Sequence, residues 1–454
     1  MKKDLFSNAD LKKLIWPLVL EQLLAYTIGL MDTIMVSSVG EAAMSGVSLV
    51  DMINLLFINL FAALGTGGAV VAAQLLGSKD RERACTSAKQ LYFVVTIISL
   101  AVSSLLMVFR APILRLLFGS IEDAVMESAL TYFTISILSF PALAIYNAGA
   151  SLFRAQGNSR ISMLISALIN VVNVSGNAIM IYGLHKGVAG AAIASLISRL
   201  IAAVVITVLL FNPGHIVSLR RGAPFRPDRG LIGRILSVGI PNSLENSLFQ
   251  LGRVLVVSII AQFGTAQIAA NAVANNLDGI SILPGQAINL AMITVIGQCV
   301  GAGDAEQARR MAKKLTKITY AIMGCTCLFV FLFCPLILRA YTLSPEARSL
   351  ASLLVYIHCL CAIVLWPISF TLANALRAAN DVRYPMICAI ASMAILRIGC
   401  GYVLAVQFQL GAIGIWIAMV ADWICRAICF VGRFHGTKWL TFAPELRQAQ
   451  QTQI

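Results

Sequence analysis

Charge is scarce in this sequence: Asp, Glu, Lys and Arg make up 12% of its 454 residues, while 59% are hydrophobic. So little polar surface cannot cover so much apolar surface in water, which excludes a soluble globule and leaves an integral membrane protein. Histidine is rarer still, with four residues (His185, His215, His358 and His435) scattered along the chain. They form no H-E-x-x-H helix and no Ser-His-Asp arrangement, and the G-x-x-x-x-G-K-[ST] loop of ATP-driven machines is missing. Neither a hydrolase nor a nucleotide-driven pump is expected, and no cofactor beyond a coupling ion. The eleven cysteines lie in or beside apolar runs, ten of them after residue 298, without metal-ligand spacing. The C-x-C pairs Cys325/Cys327 and Cys359/Cys361 would point about 200° apart on a helix. All eleven read as small core hydrophobes. No small-residue cleavage site follows the first apolar run, which therefore reads as a spanning helix and not a signal peptide.

Long apolar runs are what the chain does have. Twelve are expected as spans: 14–36, 50–76, 88–109, 125–152, 160–182, 188–211, 232–262, 270–298, 313–338, 347–374, 384–406 and 412–434. At about 1.5 Å per residue each is long enough for the ~30 Å hydrocarbon core. With a cytoplasmic N-terminus, 25 of the 34 Lys and Arg fall on the cytoplasmic side, five (Arg110, Arg115, Lys186, Arg339 and Arg348) fall outside, and four lie within spans. That asymmetry places both termini in the cytoplasm, in a cell inner (plasma) membrane with lipids as the surrounding partner. It also accounts for the net charge of +14 without a nucleic-acid site.

A shift of 224 residues lays the second half of the chain on the first. Pro17, Glu21, Gly40, Gln74, Gly77 and Asp80 fall on Pro241, Glu245, Gly264, Gln298, Gly301 and Asp304, and a shift of 223 lays Arg154-Ala155 on Arg377-Ala378. Six spans per half is an even number, so the repeats enter the membrane in the same direction. The expected architecture is an all-α membrane protein of twelve transmembrane helices in two pseudo-symmetric six-helix lobes. Residues 1–211 form the N-terminal lobe, 212–231 a cytoplasmic linker with three prolines and four arginines, and 232–454 the C-terminal lobe with a short cytoplasmic tail. Two such lobes suit alternating access in a transporter, and the chain is expected to act as a monomer.

Charges inside spans are the candidate functional groups, because a carboxylate facing lipid at the bilayer centre costs on the order of 2.5–3.5 kcal/mol. Glu21 and Asp32 share one face of the first span, eleven residues and roughly 16 Å apart along the axis. The fifth span carries Asn170, Asn173 and Asn177 at i, i+3, i+7, and the eighth carries Asn271, Asn275, Asp278, Gln286 and Asn289 within about 60° of one face. Glu245 and Arg253 lie two turns apart on the seventh span. The repeats differ where charge is buried: Asp32 faces Val256, Arg253 faces Gly29, Asp278 faces Asn54, and Asp51 faces Asn275. Asp32, Glu21, Glu245, Asn173 and Asn177 are the candidate ion-coupling set, with Na⁺ possible at Asp32 or Glu245 in place of a proton. Asp51, Asn54, Asn271, Asn275, Asp278, Arg253 and Gln286 are the candidate substrate-lining set. Interhelical hydrogen bonding is the other role open to each. Arg199, Arg397, Arg426 and Asp422 read as charges that snorkel or pair; Met31, Met35, Met44 and Met52 read as core filling in preference to a soft surface for hydrophobic substrates.

The stretches GLMDTIMVSSVGEAAMSGVSL, GTGGAVVAAQLLGSKDRERA, FRAQGNSR and MIYGLHKGVAGAAIAS resemble the multidrug and toxic compound extrusion family. So do their second-half counterparts FGTAQIAANAV, VIGQCVGAGDAEQAR and LRAANDVR. The resemblance covers essentially the whole chain. It implies a cation-coupled antiporter that expels amphipathic, often cationic, organic compounds against H⁺ or Na⁺, with the coupling carboxylate of the first span at Asp32. Many bacterial members carry a further Asp in the fifth span before a Pro; here Asn177-Ala178 stand ahead of Ile181-Tyr182-Gly183. The acidic residue of the seventh span in other members falls nearer Phe249 than Glu245. The alternatives are a flippase for a lipid-linked sugar, where fourteen spans are usual, and more remotely a membrane enzyme or scaffold.

Overall fold

The computed structural model describes residues 4–119, 121–220 and 225–443, so positions 221–224 of the expected linker and the tail after 443 lie outside the described residues. Twelve helices are long and apolar enough to cross a bilayer: α1 Asn8–Ser37, α2 Glu41–Gly77, α3 Arg81–Phe118, α4 Asp123–Ala155, α5 Ser159–Gly183, α6 Gly187–Phe211, α7 Arg229–Ala261, α8 Thr265–Gly301, α9 Ala305–Arg339, α10 Pro345–Ala378, α11 Arg383–Gln407 and α12 Gly411–His435. All twelve expected spans are present. Several helices run past the apolar stretch, α2 back to Glu41 and α9 back to Ala305, because turns of small and polar residues in α2 and of charged residues in α9 continue a helix while adding little hydropathy.

The two halves repeat at the level of the backbone. Asp80 accepts the Arg83 amide hydrogen at 2.9 Å to start α3, and Asp304, at the same place in the second repeat, accepts that of Gln307 at 2.9 Å to start α9. Among the described residues every positive φ has a counterpart in the other half: Gly40 (138°) and Gly264 (94°), Lys79 (63°) and Gly303 (71°), Gly157 (81°) and Asn380 (66°), His185 (51°) and Gln409 (57°), Gly187 (55°) and Gly411 (55°). The turns are therefore kept even where the residue is not. Both α5 and α11 end in a wider π turn, Ala178–Gly183 and Val403–Gln407.

The chain forms two compact units, Ser7–Asn246 and Ser247–Ile454 with Met1–Phe6. In the first, small residues let helices approach closely, as they must where lipid tails supply no hydrophobic drive. A Cβ on Gly46 of α2 would meet Ser128 and Ala129 of α4, and one on Gly67 would meet the backbone of Ile235 and Gly239. The early half of α7 thus packs on α2, and Ser243 Oγ donates to the Leu60 carbonyl at 3.2 Å. The described parts of the linker are strapped down and not loose. Gln156 Oε1 accepts from Val217 N at 3.1 Å, and Gln90 Nε2 donates to the Arg226 carbonyl at 2.7 Å. In the second unit the core is aromatic: Trp366 stacks on Phe370 at 5.1 Å, and Phe370 meets Trp423 edge-on at 6.0 Å. Of the four methionines expected in the core, only Met35 is buried; Met31, Met44 and Met52 are 38%, 40% and 43% exposed. Their unbranched chains lie on helix faces that no neighbour in their own unit covers.

Candidate ion and substrate sites

In the first unit α1 packs beside α5, whose asparagines recur every three or four residues and so line one face. Asn170 Nδ2 donates to the Leu24 carbonyl at 3.1 Å, and Asn177 Nδ2 donates to Asp32 Oδ1 at 2.5 Å and to Asn173 Oδ1 at 3.3 Å. Asn173 Nδ2 continues the chain to Ser195 Oγ of α6 at 3.0 Å. The Asn177 carboxamide oxygen is buried with no hydrogen-bond partner among the described residues. The charged neighbours of Asp32 are Asp51 of α2 and Arg199 of α6, and Arg199 makes no ion pair with either among the described residues. Asp51 accepts from Asn54 Nδ2 at 3.2 Å and from the buried Tyr132 hydroxyl, while Arg199 Nη1 donates to Ser139 Oγ at 2.6 Å. Two carboxylates and one guanidinium share this region, which leaves it formally negative.

Glu21, further back along the same face of α1, is held differently. Its Oε1 accepts from Arg154 Nη1 at 2.8 Å and its Oε2 from Ser162 Oγ at 2.6 Å, with all three side chains largely enclosed. A carboxylate satisfied on both oxygens ties α1 to α4 and α5.

In the second unit α8 presents Asn271, Asn275 and Asp278 to α10 and α12. Trp416 Nε1 donates to Asn271 Oδ1 at 3.0 Å, Asn275 Nδ2 donates back to the Asn271 carbonyl at 2.8 Å, and Asp278 Oδ1 lies 3.0 Å from His358 Nε2. His358 is fully buried, edge-on to Trp416 and Trp423. Asp422 Oδ1 accepts from Arg426 Nε at 2.8 Å, one turn along α12, whereas Arg397 Nη1 stays 4.0 Å from Asp422 Oδ2. A cavity of about 40 Å³ opens between Arg253, Arg397, Asn271, Asn275 and Trp416.

The structure thus gathers Asp32, Asn173, Asn177, Asp51 and Asn54 in one unit, and Asn271, Asn275, Asp278 and Arg253 in the other. The stripe expected along α8 divides: Gln286 is exposed and, among the described residues, accepts only from Asn289 Nδ2, at 3.4 Å, away from the cavity. Glu21 joins neither group, and Glu245 is buried on the early half of α7. Tyr132, Ser195, His358 and Trp416 are additions that sequence reading missed. For His358 a signal existed, since an ionisable group inside an apolar span is unusual, but its partner lies 80 residues away. Among the described residues no three of His, Cys, Asp and Glu gather as a metal-binding set.

Twelve helices of membrane-spanning length in two repeats, with charges enclosed in both, define a multi-pass membrane protein. The family follows from the sequence. The chain belongs to the MatE family, whose pattern matches residues 17–179 and again 241–403, the same 224-residue offset seen within the chain. It is 27% identical over 458 residues to the uncharacterized transporter YisQ of Bacillus subtilis, covering 97% of this chain and 99% of that protein. It is 27% identical over 437 residues to the probable multidrug resistance protein NorM of Thermotoga maritima, covering 95% and 92%. The fold matches a solved outward-facing multidrug resistance MATE family transporter with a TM-score of 0.87, at 23% identity over 95% of this chain and 96% of that one.

Proposed function

We propose that this protein is a cation-driven exporter of amphipathic organic compounds, with Asp32 as the coupling carboxylate. The observation that carries the reading is the orphan oxygen beside Asp32. Asn177 gives its amino group to the carboxylate and leaves its own oxygen buried without a donor among the described residues. A buried acceptor of this kind is costly, and a proton on Asp32 or a Na⁺ between the two groups would satisfy it. The donor set of carboxylate and carboxamide oxygens suits either ion. Antiport then needs ion and compound to favour different states, so the ion's departure resets the carrier. The 25-to-5 split of basic residues supports cytoplasmic termini in a plasma membrane.

Efflux of a fluorescent organic dye from proteoliposomes, under pH and Na⁺ gradients imposed separately, tests this reading. One gradient should drive efflux, and Asp32→Asn should abolish the drive while dye binding persists. Coupled ion flux at wild-type stoichiometry in Asp32→Asn would move the role elsewhere. A lipid-linked sugar flippase is the second reading, favoured by the arginines of the second unit; translocation of a tagged polyprenyl lipid by the same vesicles would select it.

A further inference from the structure

Charge in the second unit does not balance. Three arginines (Arg253, Arg397 and Arg426) stand against two aspartates (Asp278 and Asp422) away from the helix ends in those parts of α7, α8, α11 and α12 that belong to the second unit. Each aspartate has a basic side chain nearer than Arg397, although Asp278 Oδ1 and Asp422 Oδ2 are themselves buried without a hydrogen-bond partner among the described residues. Asp422 holds Arg426, which also donates to Ser392 Oγ at 3.1 Å and to the Ala389 carbonyl at 3.1 Å. Asp278 turns to His358.

Arg397 is left over. Its side chain is nine-tenths buried, its guanidinium lies over the Phe249 ring at 5.3 Å, and its Nε has no hydrogen-bond partner among the described residues. The 4.0 Å approach to Asp422 is beyond hydrogen-bond reach. Burying a guanidinium without a hydrogen-bonded counter-charge is unfavourable, and the group is retained beside an open space. That space is the cavity lined by Arg253 and Arg397, with no acidic residue in its wall among the described residues. Asn271 adds a donor. Its oxygen is fixed by the indole N–H of Trp416, a group that can only donate, so the carboxamide presents its amino group on the other side. Two forked cations and an amide donor around an apolar wall form a receptor for a planar anion. The volume, about 40 Å³, suits a carboxylate-sized group and not a whole drug, since one water takes roughly 10–15 Å³ on this measure.

We infer that this pocket of the second unit binds the carboxylate of the transported compound, so that the substrates include organic acids or zwitterions. The inference rests on the reading of the chain as an exporter, and binding without any gradient tests it separately from coupling. The full chain in detergent is titrated with 1-naphthoate, 1-naphthamide and 1-naphthylmethylammonium, with quenching of Trp416 fluorescence as the signal. Naphthoate should bind at least ten-fold tighter than the amide. Arg397→Gln should remove that preference, and Arg253→Gln, at an exposed position where folding is least at risk, should reduce it at least three-fold. Asp278→Asn should strengthen naphthoate binding. Equal binding of acid and amide, preference for the ammonium, or unchanged preference in both arginine variants overturns the inference. Displacement of naphthoate by phosphatidylglycerol also overturns it, by assigning the pocket to a lipid headgroup.

Discussion

Asn177 of α5 donates its amide hydrogen to Asp32 of α1 across 2.5 Å, from a position 145 residues further along the chain. A hydrogen bond to a charged group contributes about 1.5–3 kcal/mol, which corresponds to ten-fold or more in an ion equilibrium. Asn177→Leu keeps the volume and removes the bond. The cation concentration that half-saturates efflux should then shift at least ten-fold, with expression preserved. An unshifted half-saturation in folded protein would make Asn177 a packing residue.

Glu21 and Arg154 form an enclosed ion pair at 2.8 Å. Removing one partner from such a pair costs about 3–5 kcal/mol, whereas replacing both by apolar residues of similar size is often neutral. Glu21→Met should lower the melting temperature of the purified protein by several degrees, and Glu21→Met/Arg154→Met should recover most of it. Should Glu21→Met melt like wild type yet lose gradient-driven efflux, Glu21 would be a coupling residue instead of an anchor.

Lys79 holds a left-handed backbone (φ 63°) where its repeat counterpart Gly303 has φ 71°. A side chain in that region costs roughly 1 kcal/mol, so Lys79→Gly should raise thermal stability slightly and Gly303→Ala should lower it. Gly40, with φ 138° and ψ 166°, occupies a region essentially closed to other residues. Gly40→Ala should cost more than Gly303→Ala, by about 1–2 kcal/mol. Thermal unfolding in one detergent ranks the three variants, and the reverse order would mean the turns relax.

The spans and the repeat were legible in the sequence because both are written locally: apolar length fixes a membrane helix, and recurring pairs such as Asp80 and Asp304 fix the offset. The ends of helices were less legible. Hydropathy placed the second span from residue 50, while α2 begins at Glu41, because a polar turn hydrogen-bonds as well as an apolar one. Asp32, Asn173 and Asn177 could be singled out because polar groups within an apolar helix stand out one by one.

Which of these groups meet was not legible. Nothing near Asp278 in the chain announces His358, and Gln286 shares the α8 face of Asn275 yet, among the described residues, pairs only with Asn289. The sequence by itself determined that Arg253, Arg397, Arg426, Asp278 and Asp422, together with Glu245, enter the spans of the second half. Helix spacing brings Arg426 to Asp422, four residues before it on α12, at 2.8 Å, whereas tertiary structure alone decided that Arg397 of α11 remains at 4.0 Å beside a cavity. The reason is physical: charge–charge energy and hydrogen bonding depend on separation and on the water excluded between groups, and neither is set by distance along the chain.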